Sequence, residues 1–173
     1  PGTNQDILDG LKLAFDQNGT VTAGTSSPLT DGAAATLICE ESYAKENNLE
    51  ILARIKSTAV NGCNPEVMGL GPIGASQKAL IRAGLKSSDL DIIELNEAFA
   101  SQSLACVKDL ELDRNSVNID GGAIALGHPL GATGARITGK AAHLLKREGK
   151  KYALATQCIG LGQGIATILE AVE

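Results

Sequence analysis

Apolar residues along this chain fall into two rhythms that alternate. Short continuous runs at residues 51–60, 90–95, 152–156 and 164–169 predict strands, and a shorter one at 117–119 leads into Gly121-Gly122. Between them, Ile73, Leu80 and Ile81 follow Pro72 at helical spacing, and Gly84 just past the end supplies a stop, which predicts an amphipathic helix. Leu104, Val107 and Leu110 predict a second helix over residues 99–110. A third spans residues 134–147, where Ala135, Gly139, Ala141 and Ala142 are small enough for close approach to neighbours. Upstream the pattern is weaker. Residues 7–15 are helix-like, residues 33–39 suit a buried strand or a packed helix, and residues 40–48 read as a polar helix ending near Asn47-Asn48. Strands alternating with helices imply an α/β layered fold with a largely parallel sheet, whose sites form at the carboxyl ends of strands.

Three polar groups stand at such ends. Cys158 follows the 152–156 run in Gln157-Cys158-Ile159-Gly160-Leu161-Gly162-Gln163-Gly164. A thiol serves as nucleophile or as acid/base once its pKa is tuned, and the bare NH groups of Gly160, Gly162 and Gly164 suit an oxyanion. His128 lies in Gly127-His128-Pro129, whose flanking residues prevent regular structure and leave the ring available as base or oxyanion donor. Asn96, in Asn96-Glu97-Ala98-Phe99 after the 90–95 run, offers an amide that can orient a water or a carbonyl. Each also has a plain structural reading: a cysteine buried for packing, a histidine holding its own loop, an asparagine capping a helix. Gly127, Gly131 and Gly134 match neither GxGxxG nor GxxxxGK[ST], so a phosphate loop is weakly supported. Cys39 and Cys106 fall in apolar runs and read as core, Cys63 as a loop thiol and His143 as structural.

Composition narrows the classes. A chain of 173 residues can bury a sizeable core without disulfides, as one domain or a domain plus a fragment. Its four cysteines form no CxxC pair, which argues against zinc or a redox dithiol and suits free thiols in a reducing cytoplasm. A net charge of -5 without a Lys/Arg cluster, and only two Tyr and two Phe, argue against a nucleic-acid surface and leave small-molecule or protein partners. No apolar run approaches the roughly 18 residues of a membrane span. The start Pro1-Gly2-Thr3-Asn4 is neither a signal peptide nor a natural beginning, which predicts a piece of a longer chain.

Taken together, Asn96-Glu97-Ala98-Phe99, the glycine-rich stretch from Gly121-Gly122 through Gly127-His128-Pro129-Leu130-Gly131 to Gly134-Ala135-Arg136, and Cys158-Ile159-Gly160 resemble the thiolase family. The likeness extends upstream through Gly19-Thr20-Val21-Thr22-Ala23-Gly24, Asp31-Gly32-Ala33-Ala34 and Met68-Gly69-Leu70-Gly71-Pro72, so it covers essentially the whole chain as a C-terminal portion. It implies the C-terminal half of a five-layered αβαβα architecture, with the 134–147 helix as this half's buried central helix. Residues 1–27 would end the loop domain over the substrate, 28–59 complete the N-terminal half, and 60–173 form the C-terminal domain.

The resemblance also implies roles. Cys158 matches the acid/base cysteine that handles the α-carbon proton, His128 would activate a nucleophilic cysteine and bind the thioester oxygen, Asn96 would hold the water completing that oxyanion hole, and the Gly160 NH would serve the second hole. Ser27, Met68 and Phe99 fall where the family contacts the pantetheine of coenzyme A. Acyl-CoA and CoA are then substrates, with no tight metal or redox cofactor implied, and the full-length protein would be a homodimer or tetramer.

Cys-Ile-Gly-Leu-Gly-Gln-Gly, Thr25-Ser26-Ser27 and Gly62-Cys63-Asn64-Pro65 look like the bacterial fatty-acid-degrading branch, although Leu161 stands where many members continue a glycine run. This favours cleavage of 3-ketoacyl-CoA over acetoacetyl-CoA biosynthesis. None of Cys39, Cys63 or Cys106 lies in the context of the family's nucleophile, so these residues alone should not turn over. Two further readings are a non-catalytic acyl-CoA-binding module and a condensing enzyme with two site histidines. Asn96, standing where that second class would place a histidine, discriminates against it.

Overall fold

The structure is a computed structural model and describes residues 2–172, so Pro1 and Glu173, the outer limits of the expected segments, lie outside the described residues. Four strands, β1 (Arg54–Gly62), β2 (Ile92–Leu95), β3 (Tyr152–Ile159) and β4 (Gln163–Glu170), form one sheet in the order β1-β4-β3-β2. Only β2 and β3 run parallel; β1 with β4 and β3 with β4 are antiparallel. The sheet is therefore mixed, which corrects the largely parallel sheet expected from alternation. Ile159 pairs with Gln163, so only Gly160, Leu161 and Gly162 connect β3 to β4, and a three-residue turn cannot make the crossover that parallel neighbours need. Leu161 at φ 69° and Gly162 at φ 97° both occupy the left-handed region there, which explains why a glycine run suits this turn. Residues 117–119 contribute a single parallel bridge, Val117 to Ile93, in place of the expected strand.

The helices are α1 (Gln5–Asp9), α2 (Glu41–Glu46), α3 (Gly71–Ala83), α4 (Ala100–Asp109), α5 (Ala123–Leu126) and α6 (Thr133–Glu148). The glycine stop of α3 is real: Gly84 sits at φ 69°, and its N–H donates to the Ile81 carbonyl. Strand alternation divides the core in two. Ile93, Leu95, Leu154, Ala166 and Ile168 meet Ala75, Ala79 and Leu80 of α3 and Cys106 of α4. On the other face Ile92, Ala153, Ala155 and Leu169 meet Ile137, Ala141, Leu144 and Leu145 of α6. The result is an α/β/α sandwich.

Where α3 begins it lies directly on β4. A Cβ on Gly164 would come within 2.1 Å of the Gly71 backbone, and one on Gly71 within 2.3 Å of the Gln163 carbonyl oxygen. Two bare backbones meet here, so neither position has room for a side chain.

Three upstream expectations need correction. The helix expected over residues 7–15 stops at Asp9, and Leu13 instead bridges Thr22 as extended chain. Residues 33–39 are neither helix nor strand, with Leu37 80 % and Ile38 68 % exposed, and Cys39 is exposed where a core residue was expected. This run pairs with no strand of the sheet. It lies along the outer side of α6, beside an open apolar groove of about 560 Å³ lined by Leu37, Ile38, Leu49, Leu52, Gly139 and Ala142, among others. Cys106, by contrast, is fully buried as expected.

Candidate active site

His128 follows Gly127, whose φ of 97° turns the chain out of the short α5 and toward α6. The His128 Nδ1 lies 2.7 Å from the Thr133 hydroxyl oxygen, and that hydroxyl donates to the Pro129 carbonyl at 3.0 Å. With the threonine proton on Pro129, Nδ1 donates to the hydroxyl oxygen and Nε2 keeps its lone pair as a base. Burial, followed by the positive charge of Arg136, pushes the His128 pKa below its ordinary 6.5. The neutral ring thus contributes stability that is full above pH 6.5 and is lost as the pH falls through the lowered value. NMR titration of the imidazole should give a midpoint below 6.5, and Thr133→Val should shift the ring toward its other tautomer in the ¹⁵N spectrum.

The His128 N–H donates to the Thr30 hydroxyl at 3.3 Å, tying the turn to the upstream loop. Ser27, Thr30, Gly32, His128, Pro129 and Gly131 line an open groove of about 430 Å³. Ser27 is stapled in turn to the segment after Asn96: its N–H and hydroxyl both donate to the Ala98 carbonyl, at 3.1 and 3.2 Å, and Ser26 bridges Phe99. Ser27, Phe99 and His128 are therefore brought to one region.

Asn96 lies one residue beyond β2, and its N–H extends the ladder by donating to the Thr156 carbonyl at 3.0 Å. Its side chain is 1 % exposed, and neither the amide oxygen nor the nitrogen has a protein partner. Cys158, next to last in β3, is half-buried, and burial pushes its thiol pKa up. Thr156 accepts a hydrogen bond from Ser76 of α3 at 3.3 Å, so Cys158, two residues on, faces the α3 side at the same strand end. On that side Met68 lies half-buried in the 65–70 turn, where the Cys63 sulfur lies 3.9 Å from the Met68 carbonyl and the Cys106 sulfur 3.5 Å from that of Gly69. Gly160 is exposed in the β3–β4 turn.

Two supporting residues, Thr133 and Asn118, and the part played by Glu97 are not marked in the sequence. Thr133 sets the His128 tautomer, as above. Asn118, at φ 49°, clamps the end of β2: its Oδ1 accepts from the Leu95 N–H at 3.0 Å, and its Nδ2 donates to the Leu95 carbonyl at 2.9 Å and to Glu97 at 3.0 Å. Glu97 also accepts from the Ile124 N–H at 3.0 Å, filling the space where a Cβ on Gly122 would stand only 2.2 Å away. Gly121-Gly122 was the visible trace of this clamp. Among the described residues no group of three or more His, Cys, Asp or Glu is placed to hold a metal ion, and no helix is long and apolar enough to cross a membrane.

Comparison with known proteins identifies relatives of this chain. The thiolase C-terminal domain matches residues 49–171, and the thiolase N-terminal domain residues 1–42. The 3-ketoacyl-CoA thiolase of Shewanella denitrificans is 58 % identical over 99 % of this chain and 46 % of its own length. That of Vibrio parahaemolyticus is 58 % identical over 98 % of this chain and 44 % of its own. Human mitochondrial 3-ketoacyl-CoA thiolase, solved also in complex with CoA, superposes with a TM-score of 0.93 at 46 % identity, covering all of this chain and 44 % of that one. The acetyl-CoA acetyltransferase of Bacillus anthracis gives 0.93 at 47 % identity, covering 96 % of this chain and 42 % of its own. The chain spans less than half the length of these relatives.

Proposed function

This chain belongs to the thiolase family, and from that premise we propose that it is the C-terminal portion of a 3-ketoacyl-CoA thiolase. The full-length enzyme cleaves a 3-ketoacyl-CoA with CoA, giving acetyl-CoA and an acyl-CoA two carbons shorter. The whole-chain identity to bacterial 3-ketoacyl-CoA thiolases carries this reading. A nucleophilic thiol from outside these 173 residues attacks the 3-keto carbon. His128 Nε2, unprotonated, accepts that thiol's proton, and the resulting imidazolium donates to the thioester oxygen. As the carbon–carbon bond breaks, Cys158 delivers its proton to the departing α-carbon, a task suited to a thiol that burial keeps protonated. Asn96 holds a water against the thioester oxygen, and the Gly160 N–H donates to the carbonyl oxygen of the acyl-enzyme, which CoA then releases. Ser27, Met68 and Phe99 contact the pantetheine arm. The protein works in the cytoplasm as a homodimer or tetramer.

Likeness to an acetyl-CoA acetyltransferase favours a second reading, biosynthesis of acetoacetyl-CoA. The full-length parent should release acetyl-CoA from 3-ketoacyl-CoA substrates of six carbons and longer, while residues 1–173 alone should show no turnover. Activity confined to acetoacetyl-CoA would establish the second reading, and CoA binding without turnover would leave only a binding module.

A further inference from the structure

Among the described residues, every buried side-chain nitrogen or oxygen without a hydrogen-bond partner belongs to one of four residues: Glu94, Asn96, Arg136 and Gln157. They share one place. Ile92 of β2 and Ala153 and Ala155 of β3 pack toward α6, so by strand alternation Glu94, Asn96 and Gln157 face α6 as well. Glu94 pairs in register with Ala155, and the ladder continues with Asn96 beside Gln157. The Gln157 amide nitrogen lies 3.7 Å from where a Cβ on Gly134 would stand, which confirms that Gln157 points at the first turn of α6. Arg136 lies in that same stretch, three residues beyond Thr133, the residue that fixes the His128 ring.

Burying polar groups without direct partners is costly, and natural proteins confine such costs to places where the groups have work to do. Here the whole cost falls beneath Asn96 and His128. We propose that Glu94, Arg136 and Gln157 are positioning residues of the thiolase reaction: with Asn96 they form one buried polar layer between the strand ends and the start of α6, on which the Asn96 amide and the His128 turn rest. This rests on the thiolase reading above. The charged groups acting on Glu94 are Arg136 and Lys140 from α6 and Asp120 and Glu97 from the preceding loops; Arg136 is the one acting on His128. Burial pushes the Glu94 pKa up to about 7 against the pull of Arg136 and Lys140, so its charge changes within the working range.

The test is the full-length enzyme carrying Glu94→Gln or Arg136→Gln, assayed for kcat, KM and the pH profile of kcat/KM. Both variants should lose on the order of tenfold to a hundredfold in kcat, with KM for CoA changed by less than about twofold, because positioning and not binding is lost. The acid limbs should move in opposite directions. Arg136→Gln removes the charge that disfavours imidazolium and shifts the limb to higher pH, whereas Glu94→Gln leaves Arg136 uncompensated and shifts it lower. Unchanged kcat with superimposable profiles overturns the proposal, as does loss of activity tracking only a fall in melting temperature. If one variant fails to fold, the direction of the other's shift still decides. A wild-type parent without thiolysis would refute the functional reading instead, and NMR titration of His128 in the same variants would then decide the charge coupling alone.

Discussion

Replacing Cys158 by Ala in the full-length parent is expected to lower kcat for thiolysis by on the order of a thousandfold. The loss follows from where the proton must go. Carbon–carbon cleavage leaves a carbanion-like α-carbon, and water in a half-closed site is a poor, ill-placed proton source for it. Cys158 stands at the strand end with its thiol pKa raised by burial, so at neutral pH it is protonated, as the proposed role requires. In the proposed reaction the same group, working in reverse, would remove a methyl proton from acetyl-CoA. Exchange of those hydrogens with deuterium oxide, followed by mass spectrometry, should fall together with thiolysis. Acyl transfer from acyl-CoA to the nucleophilic thiol should persist, since it breaks no carbon–hydrogen bond. Wild-type rates of both thiolysis and hydrogen exchange in the alanine variant would remove Cys158 from the chemistry.

Gly164→Ala should cost the parent more than about 3 kcal/mol of stability or abolish folding, read as the denaturant midpoint or as loss of soluble protein. The added methyl would lie 2.1 Å from the Gly71 carbonyl carbon and oxygen, and backbone cannot swing aside as a side chain can. Relief requires lifting the start of α3 off β4, which also loosens Ala75 and Ala79 in the core. Gly160→Ala is the matched control. A Cβ there meets nothing within 4 Å, so it should change stability by less than about 0.5 kcal/mol. Similar stabilities for the two variants would show that the Gly71–Gly164 contact yields easily.

The chain's own pattern announced α3 and α6 well, because each buries a periodic stripe and each ends on a glycine in the left-handed region, Gly84 and Gly149. Sheet direction was hidden. Runs that alternate with helices look the same whether a final strand returns by a crossover or by a hairpin, and the short turn at 160–162 was the only clue. Residues 33–39 misled for a different reason: they are apolar without joining the sheet, and they lie in an open groove beside α6 and residues 49–53. In the site, Asn96, His128 and Cys158 were visible because glycine, proline and strand-end context mark them. Thr133 and Asn118 were not, since a threonine opening a helix and an asparagine in a loop are commonplace, and their value lies in hydrogen bonds to residues 5 and 23 positions away. Glu94 was hidden inside an apolar run that read as plain strand.

The order of strands in the sheet has a consequence during synthesis. β1 pairs only with β4, from Arg54 with Glu170 to Gly62 with Gln163, so a ribosome must add roughly a hundred residues before β1 has a partner. Through that interval β1 is a nascent edge with open backbone groups, the kind of segment that recruits foreign chains. Arg54 and Lys56 give it two positive charges that discourage such pairing; Arg54 has Glu41 as an upstream counterpart, whereas Lys56 meets its own only when Glu170 arrives. The lysine that ties β1 to β4 in the finished sheet thus also guards the unfinished one.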